Sequence, residues 1–333
     1  MSVDLQAKQI EPLRNTFGHV AKYVKGNKPA SRYEEATYGA QPSTNFHYRP
    51  TWDPTHELFD ASRSQVVLQD WYVLKDPRQF YYGAWVMARA KQQDAVESSY
   101  KFVESRGLLD AMSDDLKQLT CDVLMPLRHV AWGGNMNNCN IGAIGYGTAL
   151  TAPAMFHAMD HLGVAQYITR LGIAIGETAV LDKGKQDWME FPQWQVLRRY
   201  VEDTLVIEDP FELFVAQNFA LDGLLYPLIF ETFVEDRLTM GGGAGVAMVT
   251  SFMSDWFKET SRWINAVIKA AADESDANKQ LISRWADEWS ARAEQALAPI
   301  AEMALHDQAQ AGMDHASAEL DARSQKIGLS QNS

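Results

Sequence analysis

Apolar residues recur along most of the chain at three- and four-residue steps, the spacing of one face of an α-helix. Phe252, Trp256, Trp263 and Val267 mark one such face, and Leu281 begins another that continues for six turns. No segment combines sustained two-residue alternation with hairpin signals, which a β-sheet would require. The pattern therefore predicts an all-α protein.

Local capping signals indicate where several helices begin. Asp76-Pro77 and Asp209-Pro210 each place an N-cap carboxylate before a proline at the first helical position. Ser113, followed by two acidic residues, predicts a third start. Two long helices are predicted from about Thr148 to Leu181 and from Phe211 to Val234. The chain is thus expected to be a large helical bundle.

The N-terminal segment, residues 1–55, differs from the rest of the chain. Its prolines prevent long helices, and its tyrosines are interleaved with arginines. Because disordered tails are poor in aromatic residues, we predict an extended arm that contacts another subunit. An irregular arm packed on its own domain is the alternative. Residues 56–305 are predicted to form the helical domain, and residues 306–333 a polar C-terminal surface helix or tail that frays.

Composition and charge exclude several classes of function. The net charge of −13 and the pI near 5.1 argue against a nucleic-acid partner, which would require a basic surface, and against anionic membranes. An uncharged stretch from Val130 to Phe156 contains four asparagines and five glycines after Trp132, so a buried helix pair is expected there instead of a membrane span. Cys121 and Cys139 are too few for a disulfide framework, and we predict a cytoplasmic protein.

Few motifs in the sequence are typical of a catalytic or ligand-binding site. The glycine run from Gly142 to Gly147 lacks dinucleotide-loop spacing, and the run from Gly241 to Gly245 is followed by no Lys-Ser/Thr pair, so both predict close packing or a flexible joint. Cys139 has no evident activating base and is expected to be a packed thiol.

His157 and His161, with Asp160 between them, lie one helical turn apart and are the strongest candidate metal ligands in the sequence. The sequence supplies no further ligand for them, so buried hydrogen-bonded histidines are the favoured interpretation. A metal site remains the alternative.

Five segments, in fixed order along most of the chain, carry a resemblance to a known family: residues 45–50 (NFHYRP), 76–83 (DPRQFYYG), 126–130 (PLRHV), 135–138 (NMNN) and 256–263 (WFKETSRW). These segments resemble the β subunit of bacterial multicomponent phenol hydroxylases. The block at residues 76–83 also resembles the β subunits of the related toluene and methane monooxygenases.

The resemblance implies a ferritin-like fold of the ribonucleotide reductase type and a structural, non-catalytic role. It further implies an (αβγ)2 hydroxylase in which a di-iron α subunit and a small γ subunit accompany this chain. A regulatory protein and a reductase with FAD and a 2Fe-2S cluster would bind transiently, and electrons from NADH would support the conversion of phenol to catechol. Related alternatives are a toluene/o-xylene monooxygenase β subunit and, as a different class, an autonomous helical metal-binding protein that uses His157 and His161.

The metal ligands of ferritin-like carboxylate enzymes do not carry over to this chain. Those enzymes place a Glu-x-x-His pair on each of two helices, and here none of the eight histidines has a glutamate three positions before it. In the expected register, Met159 and Leu162 stand at one pair of ligand positions and Asp255 and Lys258 at the other, and these side chains cannot reproduce the ligand set. We therefore expect a packed bundle centre with no catalytic, cofactor-binding or metal-binding residues.

Overall fold

A computed structural model describes residues 18–24, 29–43 and 49–329. Regular structure in these ranges consists of helices, with no strand, and the predicted all-α class is confirmed. Short single-turn helices supplement the main ones. The main helices are α1 (Arg32–Thr37), α2 (Tyr82–Ser105), α3 (Asp114–Leu124), α4 (Leu127–Ile144), α5 (Thr148–Gly176), α6 (Ala179–Glu190), α7 (Pro192–Thr204), α8 (Pro210–Leu238), α9 (Ala244–Asp273), α10 (Asp276–Leu305) and α11 (Ala309–Lys326).

Two predicted helix starts are confirmed by their capping hydrogen bonds. The Ser113 hydroxyl accepts from the Leu116 amide at 3.3 Å, and Asp209 Oδ1 accepts from the Phe211 amide at 2.8 Å. The predicted start at Thr148 is also confirmed, but α5 ends at Gly176 and not at Leu181. Glu177 adopts a φ of 59°, a left-handed conformation that breaks the helix and allows α6 to begin in a new direction.

The predicted helix start at Asp76-Pro77 is wrong. Helix α2 begins at Tyr82, because the Asp76 carboxylate forms a turn instead of a cap. It accepts from the Arg78 amide at 2.9 Å and pairs with the Arg78 guanidinium at 2.9 Å. Gln79 then takes a φ of 55°, which keeps the segment from joining the helix.

The most enclosed helix is α8. It is long and apolar enough to cross a membrane, but its most apolar stretch is fully buried inside the protein, so it is a core helix. In the sequence, the stretch weighed as a possible membrane span was Val130–Phe156 and not this helix. Two stretches of α8, Val215–Leu221 and Pro227–Leu238, have wide π-helical turns that flank Asp222–Tyr226. Wide turns of this kind are often found at functional sites.

Helices α4 and α5 form a close antiparallel pair, as the uncharged stretch predicted. Gly134 faces the imidazole of His161 so closely that a Cβ atom there would come within 2.8 Å of the ring. The Asn135 side chain donates to the Ala158 carbonyl oxygen at 2.7 Å and ties the two helices together. At the turn between them Gly147 has a φ of 94°, which favours glycine.

The described parts of the N-terminal arm pack against the same chain. The Tyr33 hydroxyl accepts from the Asp76 amide at 2.7 Å, and Gln41 Oε1 accepts from the Gly147 amide at 2.8 Å. Subunit contacts by residues 1–17, 25–28 and 44–48 lie outside the described residues. The described parts of the arm thus lie on their own domain, while contact of the arm with another subunit and the domain boundaries stay predictions.

The C-terminal helix α11 is anchored, in contrast to the expected fraying surface helix. Ala316 and Leu320 are buried, and the guanidinium of Arg323 lies 5.0 Å from the ring centroid of Phe219. Arg323 also donates to Asn265 Oδ1 at 3.0 Å. Small alanines leave little trace in a hydrophobic pattern, which explains why this buried stripe escaped the sequence analysis.

Replacement of Trp263 by alanine tests the importance of the core packing. Trp263 is fully buried, donates to the Ala149 carbonyl oxygen at 2.9 Å and packs edge-on against Phe214. We expect Trp263→Ala to lower the free energy of unfolding by about 3–5 kcal/mol in urea titrations, because it leaves a large cavity. The control Trp132→Ala removes a tryptophan that is 53% exposed and should cost about 1 kcal/mol or less. Equal losses would contradict this assignment of the core.

Candidate functional site

Two histidines and one aspartate meet in the interior of the bundle. His157 and His161 project from one face of α5 towards Asp222, which lies on α8 between the two stretches of wide turns. His161 Nε2 is 3.2 Å and His157 Nε2 is 3.5 Å from Asp222 Oδ2. All three residues are at most 3% exposed. We call His157, His161 and Asp222 the buried triad.

The polar atoms of the buried triad are unusually short of partners. Within the described part of the chain, neither ring nitrogen of either histidine has a hydrogen bond of good geometry, and neither has Asp222 Oδ2. The indole of Trp256 stacks on His157 with ring centroids 4.9 Å apart and planes 14° from parallel. Aromatic packing thus fixes the imidazole while its nitrogens stay available, and buried polar atoms without partners are rare and need an explanation.

A chain of buried polar side chains fixes the orientation of Asp222. Gln217 Nε2 donates to Asp222 Oδ1 at 2.9 Å, and Gln217 Oε1 in turn accepts from Asn137 Nδ2 at 2.8 Å. Asn137 also donates to the Thr204 hydroxyl at 2.8 Å. Asn137 belongs to the Asn-rich block of α4, so that block orients the triad from a neighbouring helix.

Burial and mutual contact set the protonation of the triad. Burial lowers the pKa of His157 to about 4, so this imidazole is neutral near pH 7. Burial alone would raise the pKa of Asp222, but the two neighbouring histidines lower it to about 2. The site therefore presents a carboxylate and a neutral imidazole with free lone pairs.

Asp160, next to the triad in the sequence, has a different environment. Both of its oxygens accept from Arg89 at 2.8 Å, and they also accept from the indole nitrogens of Trp85 at 3.0 Å and Trp256 at 2.9 Å. Arg89 also donates to Glu259 at 2.8 Å. The carboxylate of Asp160 is thus fully used in a network that joins α2, α5 and α9.

The expected register of ligand positions is wrong. Met159 is 41% exposed and Leu162 is half-buried, while the inward positions of α5 are those of the two triad histidines. Asp255 is exposed, and Lys258 forms an ion pair with Glu231 away from the triad. The register was misplaced because His157 and His161 are four residues apart, whereas the expected pair of ligands is three apart.

His157 and His161 were predicted together from the sequence, but Asp222 was not. No local signal could have found it, because it is 61 residues beyond His161 in an apolar helix.

The two cysteines show no sign of reactivity. Cys121 is buried with its pKa raised to about 11 by burial, and the pKa of Cys139 is raised for the same reason. Cys121 is a packed thiol, whereas Cys139 is half-buried, and its assignment as a packed thiol stays a prediction.

These features define an all-α, ferritin-like protein of the di-iron hydroxylase type, with a polar site between its central helices. The family described as Methane/Phenol/Alkene Hydroxylase matches residues 52–275, and the chain belongs to this family. It is 45% identical to the phenol 2-monooxygenase oxygenase component DmpL of Pseudomonas sp. (strain CF600), over 99% of this chain and 98% of that protein.

Two further comparisons agree with this assignment. The xenon-pressurised crystal structure of phenol hydroxylase from Pseudomonas sp. OX1 contains a chain with 42% identity and a TM-score of 0.91, and 99% of each chain is covered. The β subunit of the toluene-4-monooxygenase hydroxylase component of Ectopseudomonas mendocina is 22% identical, over 86% of this chain and 89% of that protein.

The family is one of di-iron monooxygenases, but the residues gathered here do not fit a di-iron centre. Such a centre uses several inward carboxylates with a histidine on each of two helices. The buried triad supplies one carboxylate, and both of its histidines come from α5. Asp160 is engaged by Arg89 and two indoles and has no position left for a metal ion.

Loss of the Asp160 charge should destabilise the protein strongly. In Asp160→Asn the amide would direct N–H groups at Arg89, and the guanidinium would lose a buried partner. We expect the free energy of unfolding to fall by about 3 kcal/mol in urea titrations. Glu97→Gln is the control, because Glu97 pairs with Arg170 near the surface and should contribute less than about 1 kcal/mol. A loss no larger than that of the control would refute the role of Asp160.

The acid sensitivity of the fold should depend in part on His129. Its ring stacks on Trp188, and burial, reinforced by Arg128 and Lys185, lowers its pKa to about 4. The unfolded chain, with a histidine pKa of about 6.5, therefore binds a proton between pH 6.5 and 4 that the folded chain does not, and stability falls as the pH falls through this window. His129→Gln should make that fall shallower in unfolding measurements at pH 7, 5.5 and 4.5. An unchanged slope would show that His129 is not responsible.

Proposed function

We propose that this chain is the structural β subunit of the hydroxylase of a multicomponent monooxygenase that converts phenol to catechol. The observation that carries the proposal is the 45% identity, over nearly the whole of both chains, with a phenol 2-monooxygenase oxygenase component. The toluene/o-xylene alternative is less favoured, because identity to the toluene-4-monooxygenase β subunit is only 22%. That relative nevertheless supports the assignment of a β-type role.

Oxygen activation, in this proposal, takes place in another subunit. The inward groups of the described bundle do not fit a di-iron centre, and the chain has no Glu-x-x-His pair. The di-iron site would lie in a larger α subunit, with a small γ subunit completing an (αβγ)2 assembly in the cytoplasm. A reductase with FAD and a 2Fe-2S cluster would deliver electrons from NADH, and a regulatory protein would bind transiently. The chain itself supplies no catalytic residue.

An uncharged surface supports the need for a partner. Trp132 and Met136 on α4 are 53% and 41% exposed, and Met155 and Met159 on α5 are 40% and 41% exposed. Gly142 of α4 lies against the sulfur of Met155, so the two helices that carry these residues adjoin. We call Trp132, Met136, Met155 and Met159 the uncharged face. Clustered exposed apolar residues of this kind mark interaction sites.

The α subunit is the occupant that this face fits best. A second copy of the chain would bring another net charge of −13 and the corresponding repulsion. Burial of α4 and α5 against a larger bundle would also explain how a non-catalytic chain contributes. It would hold the outer faces of the iron-binding helices and thereby preorganise a site that it does not touch.

The test of this function is native mass spectrometry of the tagged chain purified from its own host. We expect a paired three-subunit assembly, with the di-iron centre in the larger subunit and with NADH-dependent conversion of phenol to catechol once the reductase and the regulatory protein are added. Recovery of the chain alone and monodisperse would overturn the proposal, and an assembly that oxidises toluene but not phenol would favour the alternative.

Charge introduced into the uncharged face should weaken the assembly without unfolding the chain. We expect the double substitution Trp132→Glu and Met159→Glu to reduce co-purification of the α subunit at least about tenfold, because carboxylates would have to be buried at the interface. Val206→Glu is the matched control, since Val206 is 76% exposed in the turn between α7 and α8. Circular dichroism should show that both variants stay folded. Equal recovery of the α subunit with the double variant would exclude this face.

A further inference from the structure

We propose that the buried triad binds a single divalent transition-metal ion, with Zn²⁺ as the expected occupant. Its ligands would be the Nε2 atoms of His157 and His161 and one carboxylate oxygen of Asp222. In this proposal the chain still lacks a di-iron centre, as expected from the sequence, but it is not free of metal. The site is distinct from a carboxylate-bridged di-iron centre in its ligands, its number of ions and its role.

The spacing of the donor atoms fits one small ion. In a tetrahedral zinc site with bonds of about 2.0–2.1 Å, neighbouring ligand atoms are about 3.3–3.4 Å apart. The two Nε2–Oδ2 separations, 3.2 Å for His161 and 3.5 Å for His157, lie on either side of this value. The ligand atoms of the three residues are all within 4.8 Å of one another.

The chemistry of the donors fits a borderline metal ion as well. Imidazole nitrogens suit Zn²⁺ and its neighbours in the first transition series, and two imidazoles with one carboxylate form a known ligand set for Zn²⁺. All of these donor atoms lack hydrogen bonds of good geometry within the described chain. A bound ion would therefore satisfy groups whose burial is otherwise costly.

The residues around the buried triad orient its ligands and leave space for a bound ion. Gln217 holds the second oxygen of Asp222 at 2.9 Å, and Asn137 holds Gln217, which is the outer-shell support that metal-binding carboxylates normally have. A cavity of about 10 Å³ lies beside His161 and Asp222, at the lower limit of the space that holds one water molecule, and a water there would complete a four-coordinate site. Gly134 leaves the space that the His161 ring occupies.

The role of the ion would be structural. The triad is closed off from solvent, so no substrate reaches it, and the ion would link α5 to α8 in the middle of the bundle. A second group of possible ligands, Glu231, His315 and Glu319, is less suited to hold a structural ion. It lies near the surface, and Glu231 is already paired with Lys258.

The test measures metals in the full-length chain, co-expressed with the other subunits of its oxygenase component and purified as a complex. After incubation with ZnSO₄ and removal of free metal, elemental analysis should give one Zn²⁺ per copy of this chain. Asp222→Asn and His161→Gln should each lose that ion while the subunit ratio stays unchanged. His129→Gln, which removes a histidine outside the triad, should retain it.

Cobalt substitution adds a readout that depends on geometry. Co²⁺ bound to the wild-type complex should show the intense visible absorption of a tetrahedral ion, and Asp222→Asn should abolish it. Zinc at background level in the wild type, or equal zinc in wild type and both triad variants, would overturn the proposal. In that case each histidine donates its Nε2–H group to Asp222 and no ion binds. Failure of the chain to co-purify with other subunits would instead refute the proposed function, and metal analysis of the chain alone would still decide this inference.

Discussion

The structure depends on one buried carboxylate. Asp160 accepts hydrogen bonds from Arg89 and from the indoles of Trp85 and Trp256, and so connects α2, α5 and α9 at a single point. A buried charge is tolerated only when it is paired and fully hydrogen-bonded, and this one meets both conditions. Because Trp256 also stacks on His157, the same network fixes one wall of the buried triad.

The two polar sites of the bundle therefore have opposite characters. At Asp160 both oxygens are satisfied by protein donors. At Asp222, one helix away, one oxygen is held by Gln217 and the other faces two imidazoles. The helices α2, α5 and α9 are thus held together by an ion pair and two tryptophans at Asp160.

Features set by local chemistry were predictable from the sequence. The caps at Ser113 and Asp209 were recognised because the side chain and the amides it accepts from are two or three residues apart. The cap at Asp76 failed although its partner is also local, because the Arg78 guanidinium, which also lies near Glu259, pairs with the carboxylate. Asp222 was missed for a different reason, since only the folding of α8 against α5 brings it to the histidines. The fold class could be predicted from the periodicity of apolar residues. The site could not be predicted, because it depends on which helices pack against each other.

The uncharged face affects the stability of unassembled copies of the chain in the cell. In the proposed assembly, a copy of this chain that has not yet bound the α subunit would expose Trp132 and three methionines to water, and such surfaces favour aggregation. Surplus copies would be removed by quality control, while assembled copies would be protected. The abundance of the chain would then follow that of its partner, so that stoichiometry is kept by the chemistry of a surface as well as by the rate of synthesis.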